Sequence, residues 1–471
     1  MTSTLIPCPY ERTFLKPRIL HIGFGAFARA HPMVFLHHGL VAEGGDWGVV
    51  AARLNSGVEA LDGLDEVQGQ YHVAEADSDT ITLREIGVLC GTCHPARDGE
   101  DAIPALIATP DMSVILLTIT EKGYCTKEGQ LDLEHAAIQA ELAGGAPTTA
   151  IGVLVAGLQS RRAAGLGGVT ILSCDNQPDN GALTRAAVLG FAEALDRNLA
   201  GWIRTHVRFP SSMVDRIVPA MTDDSHAVVT SALGRADPNA ILCEPFRQWV
   251  IEDDFANGRP PFAEGGAMLV ADVQPFEEMK LRLLNGAHTT LAWLGQLLGY
   301  QTVADCMADK ELRALVRHLM LAEQAATLRP LEGIDLAAYA DELLKRFENT
   351  RLRHRLDQIA SDSSQKMPQR LFTPIAANLE AKRDWSVSAV AVAAWIIGLR
   401  SLPPVPDPRQ DDLRRAALGD DPVAGVLSLP SLVPDALRAR AEFQTTISAA
   451  FDRLQGGAKS AVTTIAKELG V

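Results

Sequence analysis

The 471-residue chain is short of basic charge: 43 lysines and arginines against 58 aspartates and glutamates leave a formal net charge of -15. Nucleic acid and anionic membranes need a basic face, so neither is expected as a partner. Long apolar runs are missing too, and none approaches the ~20 residues of a membrane span. The start, Met-Thr-Ser-Thr-Leu-Ile-Pro-Cys-Pro-Tyr, lacks the basic region and apolar stretch of a signal peptide. Cysteine is scarce; seven residues, mostly scattered, fit reduced thiols in a cytoplasm. Aromatics make up only 5%, yet 47% of the chain is hydrophobic, enough for a sizeable core. The charged fraction of 21% argues against extensive disorder. No internal repeat or low-complexity tract is present. The expectation is a cytoplasmic protein of about two or three domains, monomer or small homo-oligomer, with a small-molecule partner. Whole-chain charge still leaves room for an anionic substrate met by local arginines.

What is present begins with short apolar segments separated by helical patterns. Residues 18–25 read as a strand ending on glycine, 33–42 as a helix, and 47–54 as a second buried strand. Residues 82–89, 113–120 and 169–174 follow as further strands, with a helix over 149–163 between the last two. Strands without polar alternation, separated by helices, imply a mainly parallel sheet covered on both faces. The character changes near Pro275, beyond which helical periodicity recurs and no strand is convincing. Leu402-Pro-Pro-Val-Pro-Asp-Pro408 reads as a loop between helices. The expected fold is α/β: a Rossmann-type, parallel-sheet dinucleotide-binding domain over 1–274, then a mostly α-helical substrate and catalytic domain over 275–471.

Gly23-Phe24-Gly25-Ala26-Phe27-Ala28 fits G-x-G-x-x-G/A directly after a strand and before a helix. The first glycine allows a tight turn and the second lets backbone approach a pyrophosphate. The small third residue lets helix pack on strand. The pyrophosphate would sit at the helix N-terminus, where Arg29 and His31 either reach it or are ordinary surface polar residues. The second strand ends Arg53-Leu54-Asn55-Ser56, with no carboxylate until Glu59 to hold a ribose 2′-hydroxyl. Arg53 and Ser56 suit a 2′-phosphate, so NAD and NADP both stay open.

Residues 275–294 form the second signal, a helix with Glu277 and Glu278 at its start and Lys280, Asn285, Gly286 and His288 along it. At about 100° per residue, His288 lies about 80° and Asn285 about 140° round from Lys280, so the three can border one cavity. Removing a hydroxyl proton while hydride leaves the carbinol carbon needs a base near neutrality. A lysine depressed by burial or by a cation such as Arg282 can supply it. An asparagine amide and an imidazole can stabilise the alkoxide without a metal. A helix with a surface-reaching lysine and a satisfied histidine has the same spacing. Gly286, costly inside a helix, is explained if a flat ring or substrate approaches the backbone.

K-x(4)-N-x(2)-H after Glu277 resembles the signature of the long-chain polyol dehydrogenase family, which includes mannitol 2-dehydrogenases and fructuronate reductases. Residues 21–29, Thr120-Glu-Lys-Gly-Tyr124, Ser173-Cys-Asp-Asn176, Met213-Val-Asp-Arg-Ile217, Glu244-Pro-Phe-Arg-Gln-Trp249 and Asp362-Ser-Ser-Gln-Lys366 fall in the family's order and spacing. The resemblance implies a Rossmann-type domain, a helical domain, a site in the cleft between them and a metal-independent lysine mechanism. By it, Lys280 is the general acid/base, with Asn176, Asn285 and His288 as alkoxide-stabilising partners. Glu277 serves proton passage to solvent, and Asp215 and Lys366 contact substrate hydroxyls. Gln358 stands where the mannitol enzymes carry an arginine. Arg247 in Glu-Pro-Phe-Arg-Gln-Trp resembles the fructuronate reductase branch and suits a sugar-acid carboxylate, although a structural pairing with Glu244 or Glu252 is equally open. The expected reaction is hydride transfer between NAD(P)H and a ketohexuronate such as fructuronate, giving mannonate. The alternatives are a mannitol or arabinitol dehydrogenase and a non-catalytic dinucleotide-binding sensor.

Two signals are discounted. Cys90-Gly-Thr-Cys93-His94 matches a haem-attachment pattern, but no export signal or second zinc-ligand pair accompanies it. Cys174 is read as a buried small hydrophobe rather than a nucleophile.

Overall fold

The computed structural model describes residues 2–331, 333–351 and 354–471. The chain divides into two compact units, Met1–Gln274 and Pro275–Val471.

The first unit is built on a five-stranded parallel sheet of β1 (Lys16–Ile22), β2 (Trp47–Ala52), β3 (Leu89–Cys93), β4 (Val114–Leu117) and β5 (Thr170–Ser173), in the order β5-β4-β1-β2-β3. Every residue of β2, β4 and β5 is buried. Successive side chains enter opposite cores: Ile19, Val49, Ala51, Val114 and Leu116 on one face, Leu20, Val50, Ala52, Ile115 and Leu117 on the other. Such strands need helices on both faces, which is why they read as unbroken apolar runs. The helices α1 (Ala26–Ala30) and α2 (Pro32–Glu43) follow β1. The chain runs outward from β1 to β3, returns, and continues on the other side through β4 and β5. This is the Rossmann order, and its reversal between β1 and β4 opens a crevice at the carboxyl ends of the strands.

Three smaller sheets complete the unit. The four-stranded one joins Thr2–Ile6, Thr80–Ile86, Tyr71–Ala76 and Ile241–Cys243. The single strand expected at residues 82–89 is therefore two: Thr80–Ile86 pairs antiparallel with Tyr71–Ala76, and Leu89–Cys93 joins the main sheet as β3. Gly87 breaks the run where the chain packs tightly on Cys8 and Arg12. Tyr71–Ala76 is wholly buried although it contains His72 and Glu75. His72 Nδ1 lies 2.8 Å from Asp237 Oδ2, and Glu75 pairs with Arg216 at 2.6 Å and with Arg84. Partners distant in sequence make these polar residues tolerable inside, so local pattern alone missed the strand. Ser212–Asp215, Gln248–Glu252 and Met268–Val270 form a further sheet, and Thr126–Lys127 with Gln130–Leu131 a short hairpin.

The second unit is helical, and its only β-like feature among the described residues is one isolated bridge between Thr302 and Arg355. The helix over 275–294 is three pieces: α3 (Gln274–Met279), a π-helical segment Lys280–Gly286, and α4 (Ala287–Leu297). Two further π-helical segments, Leu319–Gln324 and Pro368–Phe372, lie in the same unit. Helix α5 (Ser386–Ser401) is buried nearly all round, as expected of a helix apolar on every face. Its first turn is capped by Glu323, which accepts the Val387 and Ser388 N–H groups at 2.7 and 2.8 Å and the Ser388 hydroxyl at 2.6 Å. Burial pushes that carboxyl up to about 7. Residues 402–408 form a loop between helices, where Asp407 accepts from Ser363 and Ser364.

Candidate active site

In the first unit, β1 runs into Gly23 at φ +85°, where a β-carbon would overlap the Thr118 carbonyl oxygen at the end of β4. Only glycine turns here. Gly23 and Phe24 donate N–H bonds to Ala52 O at 2.9 and 3.1 Å, and Thr118 Oγ1 donates to Gly23 O at 2.7 Å. Gly25 caps α1 in an extended conformation, and a β-carbon there would meet only Gly23 O, at 3.7 Å. The protein itself therefore does not require glycine at 25; the open space is what close approach of a pyrophosphate needs. Ala28 is fully buried beneath the turn. Beside it lies a cleft of ≈ 460 Å³, lined by Gly23, Arg53, Asn55, Ser56, Thr118 and Thr120 among others, with no carboxylate in the lining. These residues fit a dinucleotide.

The other residues expected here divide. Ala26 and Phe27 are half-buried in α1, and the Phe27 ring stacks on His31 at 4.8 Å. Phe24 is buried and edge-on to His21, so its side chain belongs to the core. His31 is fully buried, bonded through Nε2 to Gln248 O at 3.0 Å and packed on Phe35 and Trp249, which removes it as a phosphate contact. Arg29 donates to Asn239 O at 2.9 Å. The Arg53 guanidinium folds against the backbone of Gly57 beside the cleft.

At the end of β5, Asn176 is exposed. The preceding Asp175 accepts the N–H groups of Ile119 and Thr120, both at 3.0 Å, and the Tyr124 hydroxyl at 2.7 Å. Tyr124 OH also lies 2.6 Å from Ser173 Oγ. Asp175, Tyr124 and Ser173 thus tie the ends of β4 and β5 together and hold Thr120 at φ +63°. This network was missed from sequence, although its members all lie in the two motifs quoted for the family. Asp215 is buried at the end of its strand, next to Arg216, whose guanidinium is spent on Glu75, Ala30 O and Glu244 O. Arg247 lies over the Phe35 ring at 5.1 Å and donates to Gly265 O at 3.4 Å.

In the second unit, Lys280 is buried as the first residue of the π-helical segment. The i→i+5 ladder has more than four residues per turn. Asn285 therefore lies much nearer the Lys280 face than the 140° of an α-helical count. Glu277, one turn earlier, and Asn285 are half-buried. His288 stacks on Phe347 at 4.4 Å and stands edge-on to His354 at 5.0 Å. Burial first, then His354, Arg346, Arg370 and Lys280, holds its proton affinity well below the ordinary value, so the ring is neutral. Its Nε2 is enclosed without a hydrogen-bond partner among the described residues. Lys366 donates to Ser361 O at 2.6 Å and Ile359 O at 3.2 Å, and burial lowers its pKa.

Two expectations for this helix change. Arg282, the cation offered as a neighbour of Lys280, is held by Thr327 and faces Glu278 at 3.8 Å. Gly286 is crowded by protein rather than left open for a ring: a β-carbon would meet Arg370 O and Gln324 Nε2, each at 3.3 Å. The three π-helical segments meet at this point. Among the described residues, one group with metal-like spacing, His318, Glu323 and Asp384, lies within 4.8 Å, but Glu323 already caps α5 with both oxygens. Cys90 and Cys93 lie three apart on β3; Cys90 is exposed as a residue, but its sulfur packs against Gly48 and Val49 O, and loss of solvent around the sulfur raises both thiols to about 11. Cys174 is buried with its thiol well above the usual range, which disfavours a thiolate nucleophile.

Residues 17–264 match the mannitol dehydrogenase Rossmann domain, and residues 272–455 the mannitol dehydrogenase C-terminal domain. The chain belongs to the mannitol dehydrogenase family. It is an oxidoreductase, and the family's Rossmann domain makes its coenzyme a nicotinamide dinucleotide. A D-mannonate oxidoreductase of Escherichia coli K12 is 42% identical over 471 residues, 97% of each chain. A polyol:NADP oxidoreductase of Gluconobacter oxydans is 36% identical over 399 residues, 83% of this chain and 82% of its own. The ternary complex of Pseudomonas fluorescens mannitol 2-dehydrogenase with NAD and D-mannitol shares the fold at TM-score 0.84 and 33% identity, covering 98% of this chain and 97% of that one. Within this mannitol dehydrogenase family chain, no described helix is long and apolar enough to cross a membrane.

Proposed function

We propose that this oxidoreductase interconverts a ketohexuronate and its hydroxy acid, fructuronate and mannonate being the leading pair. The observation that carries the reading is the 42% identity, over 97% of both chains, to a D-mannonate oxidoreductase. A bound nicotinamide dinucleotide supplies or accepts the hydride. Lys280 Nζ takes the hydroxyl proton in the oxidative direction and returns it in reduction. Asn176, Asn285 and the neutral His288 stabilise the alkoxide, and Glu277 passes the proton towards solvent. Neutral donors can perform that task when they are preorganised and shielded from water. Asp215 and Lys366 meet substrate hydroxyls, and Arg247 is the candidate read from sequence for the carboxylate.

Gly23, Phe24, Gly25, Ala26 and Phe27 form the coenzyme turn, with Phe24 acting through packing and backbone. Arg29 and Arg53 supply positive charge. NAD is the proposed coenzyme, with NADP as the alternative favoured by the absence of a carboxylate from the cleft lining beside Arg53. The second substrate reading, mannitol and fructose, is favoured by likeness to the mannitol complex. Following absorbance of reduced coenzyme with fructuronate and fructose, each with NADH and NADPH, separates all four cases. Rapid turnover of fructose without fructuronate would overturn the sugar-acid reading.

A further inference from the structure

Arginines drawn away from solvent in this chain are treated in two different ways: Arg161 and Arg216 are buried, and Arg370 is half-buried. Arg161 donates to Gly167 O, Ile107 O and Thr109 O at 2.5–2.9 Å. Arg216 is bonded to Glu75, Ala30 O and Glu244 O. Both guanidinium groups are used up, as buried cations must be. Arg370, in the π-helical segment Pro368–Phe372, is different. Among the described residues its guanidinium makes one hydrogen bond, from NH1 to Thr289 Oγ1 at 3.0 Å, and no carboxylate pairs with it. The residue is only half-buried, and its remaining nitrogens are not sealed inside packed protein. Burial alone lowers its proton affinity, to about 10, and no acid counters it.

Position makes this informative. Thr289 follows His288 directly, and the Arg370 charge acts on both His288 and Lys366. The backbone is pinned as well: Arg370 O accepts from Gln324 Nε2 at 3.3 Å and abuts Gly286, at the end of the segment that Lys280 begins. A guanidinium fork rigidly placed beside these groups, with most of its five donors unused, is suited to a planar anion. We propose that Arg370 binds the substrate's carboxylate and is the residue by which this site prefers a sugar acid to a neutral polyol. The proposal rests on reading Lys280 and His288 as the catalytic group. Arg247 is the rival: it makes one bond, to Gly265 O at 3.4 Å, but its guanidinium lies over the Phe35 ring and its Nε is enclosed by protein without a partner among the described residues, so that nitrogen is closed to a ligand.

The test uses the full chain as wild type, Arg370→Gln, Arg370→Lys and Arg247→Gln, assayed with fructuronate and with fructose at saturating coenzyme. Loss of a charged hydrogen-bonded contact is expected to lower kcat/KM for fructuronate about 10- to 100-fold in Arg370→Gln, mainly through KM. The fructuronate-to-fructose ratio falls with it. Arg370→Lys, which keeps the charge without the fork, falls between, and NADH affinity by fluorescence titration confirms that each variant is folded. Equal loss for both substrates, or a loss confined to Arg247→Gln, overturns the proposal while leaving the sugar-acid reading intact. A wild type that reduces fructose and ignores fructuronate overturns both.

Discussion

The glycine turn of the first unit and the lysine helix of the second are built on opposite plans. The turn is made mainly of backbone: Gly23 at positive φ, its N–H held by Ala52 O and its carbonyl by the Thr118 hydroxyl, with an open surface at Gly25. The lysine helix is made of side chains that an irregular ladder brings round to one side, with His288 held neutral by burial. A backbone site tolerates exchange of most side chains but not the loss of a conformation. A side-chain site tolerates small shifts of backbone but not the loss of a group.

That contrast can be broken by four measurements. The largest effect is expected from Lys280→Ala, which should lower kcat by about 10²- to 10⁴-fold, the usual span for removing a general acid/base. Stability and NADH affinity should stay near wild type; a loss of affinity matching the loss of rate would make Lys280 a binding residue instead. Next comes Gly23→Ala, where a β-carbon collides with Thr118 O at a strained φ. Urea unfolding should show a loss of about 1–3 kcal/mol, together with weakened NADH binding. An unchanged midpoint would mean the turn yields easily and the plan is less rigid than described.

The third concerns acid. His21 lies in β1 with neither ring nitrogen hydrogen-bonded among the described residues, and burial pushes its pKa down to about 3. The unfolded chain takes up that proton below about 6.5. Its stability contribution is therefore complete above 6.5 and is lost as pH falls towards 3, at up to about 1.4 kcal/mol per pH unit. His21→Leu should flatten the acid limb of a plot of urea midpoint against pH. In the second unit Glu323, raised to about 7, acts in the opposite sense. Its contribution is present below the unfolded value of 4.5 and lost as pH rises through 7. Glu323→Gln should remove that neutral-pH decline, and a limb unaltered by either change would place the acid sensitivity elsewhere. The smallest stability effect, within about 0.5 kcal/mol, is expected for Gly25→Ala. Its NADH affinity should nonetheless weaken, and unaltered affinity would show that no ligand approaches that backbone.

How far sequence reached follows the same division. The turn was legible because G-x-G-x-x-A, the strand before it and the apolar runs of β2, β4 and β5 are all local signals. The boundary between sheet and helices near Pro275 was visible as a change of period. What stayed hidden depends on contacts far along the chain. Tyr71–Ala76 looks too polar for a buried strand until Asp237 and Arg216 arrive. His31 looks like a surface neighbour of phosphate until Trp249 and Gln248 enclose it. The angle between Lys280 and Asn285 came out too wide because nothing in Lys-Leu-Arg-Leu-Leu-Asn-Gly announces a π-helical ladder. Arg370 carries no signal in the sequence because an arginine between Gln369 and Leu371 has no local sign of being half-buried without an anion.

The π-helical segment at Lys280–Gly286 behaves as a phase shifter in the chain. If the same residues closed as ordinary α-helix, everything upstream would rotate by about 100° relative to everything downstream. Lys280 would then leave the side shared with Asn285, although no residue had been changed or deleted. For the proposed site, the ladder adopted by a seven-residue stretch matters as much as the identity of the residues in it.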